Sequence, residues 1–207
     1  PVGGLAIALL HHVSHVALDT NIVIRAVQEK TGVSWLMAPL IFVSAVISHL
    51  FGASVGREGA ALQIGGSMGY TFGSVCRMDV SDTHIAVMAG MAAVFSAVFG
   101  TPITAMLFSI EVASVGIMYY ASLFPCLTAS LTASAIARAF GVEAFAFTPV
   151  TAPEMSLAMA GRTLILSVAL ALLAIVFCIL LSRGERCFRR LIKNDFLRIA
   201  AGGAAVA

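Results

Sequence analysis

Apolar residues fill the chain in long blocks separated by short charged stretches, and the blocks predict helices. Residues 1–16 are apolar as far as His11, His12 and His15, which is short of the ~20 residues a full span needs, so a partial helix is expected. Asp19, Thr20 and Asn21 interrupt the run before a short segment, 22–30, whose Arg25, Glu29 and Lys30 bring it to a membrane surface. Residues 31–48 carry no charge and hold Pro39, which predicts a kink in a continuous helix. Residues 59–76 are again uncharged, with Gly65, Gly69 and Gly73 at every fourth position, a stripe along which another helix can pack closely. Arg77, Asp79 and Asp82 mark a polar connection over 77–83. Residues 85–110 are uncharged, but Ser96, Gly100, Thr101 and Pro102 break the middle, which predicts two helices interrupted within the bilayer.

The remaining pattern adds two spans. Residues 113–137, with Tyr119, Tyr120 and Pro125, read as one span, followed by a short extramembrane stretch through Gly141, Pro149 and Pro153. Residues 163–182 are an uncharged run of the ~20 residues that cross a bilayer. Arg183, Arg186, Arg189, Arg190, Lys193 and Arg198 follow, and the positive-inside bias puts segment 183–198 on the cytoplasmic side.

Composition fixes the class. With 60% hydrophobic and 11% charged residues and a mean hydropathy of +1.01, the chain is far more apolar than a soluble domain, at roughly 45–50% and 25%. An all-α, polytopic membrane protein is expected, with the lipid bilayer as its surroundings. A net charge of +2 and no basic run interleaved with aromatics argue against a nucleic-acid partner. Cys76, Cys126, Cys178 and Cys187 lack metal or redox spacing and are expected to serve packing. His11 and His15 are four residues apart without converging ligands, so no metal is expected and the histidines mark a polar helix end near water. No Ser/His/Asp set, His-Glu-x-x-His or Asp pair points to an enzyme or a cofactor.

Two charges need a separate reason. Arg57 and Glu58 stand between Gly56 and Gly59, flanked by runs apolar enough for a bilayer, where an ionisable group is costly unless it faces protein or water. Gly52, Gly56 and Gly59 predict a sharp turn, after which a helix begins. A helix starting inside a membrane directs unpaired N–H groups and a positive dipole end at the adjacent cavity, whose occupant would be an anion.

Gly56-Arg57-Glu58-Gly59, followed by Gln63-Ile64-Gly65-Gly66, resembles the Gly-Arg-Glu-Gly-Pro signature of the CLC anion channels and anion/proton antiporters. The stretch from Gly90 through Phe99-Gly100-Thr101-Pro102 to Leu107-Phe108-Ser109-Ile110-Glu111 is similar to that family's next helix pair. The resemblance implies a CLC-type inverted-repeat architecture with discontinuous helices, a homodimer, and transport of a small inorganic anion, fluoride or chloride, with protons. It makes Glu58 the gating and proton-carrying residue, with Gly56, Arg57, Gly59 and Ala60 around the anion and Gly100, Thr101 and Pro102 as the second broken helix. Arg57 is either a field-setting charge or an ion ligand.

Departures from the family pattern sharpen the ion. The loop that supplies a serine in chloride-type members falls here on Thr20 and Asn21, which either donate to the anion or cap the helix from Ile22. Asn21, Ala60 in place of the family's Pro, and Val112 in place of an internal glutamate resemble the bacterial fluoride/proton antiporter branch. Valine binds no proton, so the internal proton-transferring residue of chloride-type antiporters has no counterpart at that position. Chloride/proton antiport and a passive chloride channel stay as alternatives, and Glu111 is expected to be structural.

The resemblance runs through residues 1–207, about half of a CLC subunit. Gly3-Gly4-Leu-Ala-Ile-Ala and Gly202-Gly203-Ala-Ala-Val-Ala are similar strings, consistent with an N-terminal repeat plus the start of the second. The chain is then expected in the bacterial plasma membrane, and a non-conducting half that needs its second repeat is a further alternative.

Overall fold

The apolar blocks become helices. The computed structural model describes residues 2–14, 22–29, 32–53, 56–113, 116, 119–142, 156–192 and 195–206, with no strand among them. They fall into two compact units, Val2–Ala146 and Phe147–Ala207. The first holds α1 (Val2–Ser14), α2 (Ile22–Glu29), α3 (Met37–Leu50), α4 (Arg57–Val75), α5 (Val80–Phe99), α6 (Pro102–Ala113), a 3-10 turn (Tyr120–Ser122) and α7 (Leu123–Ala139). The second holds α8 (Leu157–Leu191) and α9 (Asp195–Val206).

The first unit is built around α4 and α5. Packing there is set by small residues: Gly65, Gly69 and Gly73 are buried on α4, and a Cβ on Gly65 or Gly69 would land on the α5 backbone at Gly90 or Ala86. Gly73 faces Thr83, whose side chain would stand 3.1 Å from such a Cβ. The stripe read from sequence is thus a helix seam, in which missing side chains let two backbones touch. Around it, α3 and α2 lie on α4, and α6 and α7 lie on α5. Val23 of α2, fully buried, occupies the space a Cβ on Gly66 would take. Val23, Leu62, Val87, Met91, Ile110 and Cys126 belong to one apolar core drawn from these helices.

Polar groups close the joints. Asp79 caps α5, its carboxylate accepting from the Asp82 N–H at 2.7 Å. Inside, the Ser96 hydroxyl on α5 donates to the Ser130 carbonyl on α7 at 2.8 Å, and the Ser67 hydroxyl on α4 to the Ser34 carbonyl at 3.1 Å. Such bonds satisfy hydroxyls that have no water to turn to in an apolar interior.

Several sequence expectations are corrected. Pro39 makes no kink, because the helix starts at Met37 and a proline in the first turn removes an N–H that has no intrahelical acceptor. Block 113–137 is not one helix: α6 ends at Ala113, Gly116 has φ +79°, and the span begins at the Tyr120–Ser122 turn. His11 is no watery helix end. It is buried, with Nε2 3.2 Å from the Ser44 hydroxyl on α3, while His12 is exposed and His15 lies outside the described residues. Of the cysteines only Cys126 is buried, so packing within this chain accounts for one of the four.

Three described helices are long and apolar enough to cross a membrane, Val80–Phe99, Tyr120–Ala139 and Leu157–Phe188. Val2–Ser14, Met37–Leu50 and Pro102–Val112 are shorter apolar helices, as a fold with discontinuous elements requires. The extramembrane stretch expected through Pro149 and Pro153 lies outside the described residues beyond Val142.

Candidate anion site

Among the described residues before α4, one glycine turns the chain. Gly52 has φ +75°, a left-handed conformation that side chains resist, and follows directly on Phe51, whose ring lies over Gly3 of α1. Gly56 and Gly59 do not turn the chain. Gly56 is extended at the N-cap of α4 (φ −64°, ψ 138°), and Gly59 is inside the helix. A Cβ added at either meets no atom within 4 Å, so these glycines leave the first turn bare rather than bend it.

Arg57 is therefore the first residue of α4 and Glu58 the second. Among the described residues no side-chain hydrogen bond caps this N-terminus. Its leading N–H groups and the positive end of the helix dipole are presented beside the Glu58 carboxylate, an arrangement that favours negative charge. Gly56, Arg57, Glu58 and Gly59 are exposed in this chain, and Ala60 is half-buried.

The second broken element meets the first through register. Gly65 faces Gly90 and Gly69 faces Ala86, so each turn toward the start of α4 advances one turn toward the end of α5. Continued to its limit, that antiparallel register sets Arg57–Ala60 level with the last turn of α5. There Gly100 ends the helix with φ 67°, its N–H donating to the Ser96 carbonyl at 2.8 Å. Thr101 follows, exposed, and Pro102 opens α6 at the position where proline is favoured. Phe95 contacts Phe99 and Phe108, with ring centroids 4.4 and 5.0 Å apart, and so ties the two sides of the break. Two helix N-termini, of α4 and α6, thus start at one end of the α4–α5 pair.

Other named residues sort as follows. Thr20 and Asn21 lie outside the described residues. Val112 is half-buried against the apolar core, and Glu111 beside it is exposed. No group of three potential metal ligands occurs among the described residues. Sequence reasoning missed the contacts made by Ser96 and His11; each is a polar residue in an apolar helix, the signal that a partner helix supplies an acceptor or donor.

A family model described as Voltage gated chloride channel matches residues 3–207. The chain is 34% identical over 210 residues to a chloride/fluoride channel protein of Pseudomonas syringae pv. tomato, covering 100% of this chain and 46% of that one. It is 26% identical over 176 residues to the H(+)/Cl(-) exchange transporter ClcA of Vibrio cholerae, covering 83% of this chain and 37% of the transporter. Among solved structures, a CLC-type fluoride/proton antiporter superposes with a TM-score of 0.91 at 28% identity, over 99% of this chain and 52% of that one. The chain spans about half the length of the Pseudomonas relative and of the antiporter.

Proposed function

The chain belongs to the voltage gated chloride channel family, and from that membership we propose that it carries the gate of a fluoride/proton antiporter, with Glu58 as the gating residue. It is an integral membrane protein. The observation that carries the reading is the seat of Glu58 in the first turn of α4, which the antiparallel register sets level with the last turn of α5. Ionised, the carboxylate takes the place of an anion at the helix N-terminus and competes with the transported ion. Protonated, it carries no charge to hold it there, moves aside and leaves the seat to fluoride. Alternation of proton and anion at one position couples their movements in opposite directions.

Fluoride is favoured over chloride by Val112, which offers no second proton site, and by Asn21, a residue type with two amide N–H donors. The fluoride/proton antiporter structure supports the same choice. The chain matches about half the length of its relatives, which supports the further reading that it conducts only together with a second repeat. The basic end of α8 is assigned to the cytoplasmic side of a bacterial plasma membrane, and the working unit is a homodimer.

The test is flux through the protein reconstituted in liposomes. Glu58→Gln is expected to abolish fluoride-driven proton movement while the vesicles still retain folded protein. Unchanged coupled flux would remove Glu58 from the gate. Chloride carried in preference to fluoride by the unsubstituted protein would leave the gate and overturn the ion assignment.

A further inference from the structure

We propose that the arginine face at the end of α8 binds the phosphate of an anionic phospholipid. Three observations converge there. α8 is an unbroken helix of 35 residues, about 52 Å long, which exceeds the ~30 Å hydrocarbon core of a bilayer. Its uncharged run, residues 163–182, matches that core, so Arg183 stands at the hydrocarbon edge and Arg190 about 10 Å beyond it, across the headgroup layer. At 100° per residue, Arg183, Arg186 and Arg190 share one face, while Glu185 falls on the opposite side.

The face also borders an open recess and is continuous with exposed apolar surface. Arg183, Arg186 and Arg190 bound, with Cys187 and Leu191, a recess of about 590 Å³. Guanidinium groups bind phosphate through paired N–H donors, a geometry suited to a phosphodiester. Toward the hydrocarbon the same face continues as Leu172, Val176 and Ile179, all exposed, a seat for the acyl chains. That apolar continuation commits the site to a lipid rather than to free phosphate, which has nothing to lay along it. The proposal requires α8 to lie in a membrane and is independent of Glu58.

The experiment reconstitutes the protein in nanodiscs with equal phosphatidylglycerol and phosphatidylcholine, and counts lipids retained on extraction by native mass spectrometry. Preferential retention of phosphatidylglycerol is expected. Each basic residue near an anionic surface is worth about fivefold, so R183Q/R186Q/R190Q should lose about a hundredfold of that preference. The corresponding triple lysine variant keeps the charge and loses the paired donors, so the preference falls between those of the unsubstituted protein and the glutamine variant. Arg162→Gln, at the other end of the same apolar run, leaves it unchanged. Equal retention of both lipids by the unsubstituted protein overturns the proposal, as does an unchanged preference in R183Q/R186Q/R190Q. Binding of inorganic phosphate to delipidated protein as tight as that of phosphatidylglycerol overturns the lipid assignment.

Discussion

Replacing Gly69 with alanine tests whether the α4–α5 seam holds the site in place. A Cβ there would stand 2.8 Å from the Ala86 carbonyl carbon and 2.9 Å from Val87 Cα, and at Gly65 the corresponding distances to Gly90 and Met91 are 2.8 and 3.0 Å. Carbon atoms in contact sit about 3.5–4.0 Å apart. The obstructing atoms are backbone, so no rotamer change relieves the overlap and the helices must part by about 1 Å. Overpacking of this kind costs about 1–3 kcal/mol. Alanine returns up to about 1 kcal/mol through its helix propensity. The net expectation is a loss of about 1–2 kcal/mol for Gly69→Ala or Gly65→Ala, or about 2–8 °C in melting temperature for a chain of this size. The double variant should lose less than the sum, because one displacement of α4 makes room for both methyl groups. Melting followed by circular dichroism in detergent measures this. Gly161→Ala is the control: no atom lies within 4 Å of a Cβ there, so the change is neutral or stabilising by up to about 1 kcal/mol. Gly65→Ala and Gly69→Ala that melt with or above the unsubstituted protein would refute the close-contact account of the seam.

Two further substitutions probe the joints. Gly100→Ala places a Cβ in the left-handed conformation at φ 67°, and a loss of about 1–2 kcal/mol in the same melting assay is expected, with Gly100→Asn less affected. Asp79→Ala removes the acceptor 2.7 Å from the Asp82 N–H and should cost about 1 kcal/mol, while Asp79→Asn, which still caps, keeps most of the stability; equal melting of the two Asp79 variants would contradict a capping role.

Hydrophobic blocks, the glycine stripe on α4, the break at Gly100-Thr101-Pro102 and the position of Glu58 at a helix start were all legible in the sequence. Each is a local matter: a residue type changes the backbone's options, or the cost of lying in lipid, wherever it is placed. Pro39 and Pro125 show the limit of local reading. Each lies in a first turn, at Met37–Leu50 and Leu123–Ala139, and proline is disruptive or harmless according to where the helix begins. Similarly, nothing adjacent to His11 announces Ser44, 33 residues away, or to Ser96 the Ser130 carbonyl, 34 away.

By itself, then, the sequence determined the membrane class, the broken helices and the carboxylate that stands among glycines, because composition and local backbone chemistry act over a few residues. Only the tertiary structure decided the antiparallel register of α4 on α5, and with it that α4 and α6 start at the same end of that pair. That register depends on which glycine faces which carbonyl across the seam, a fit between surfaces distant in sequence.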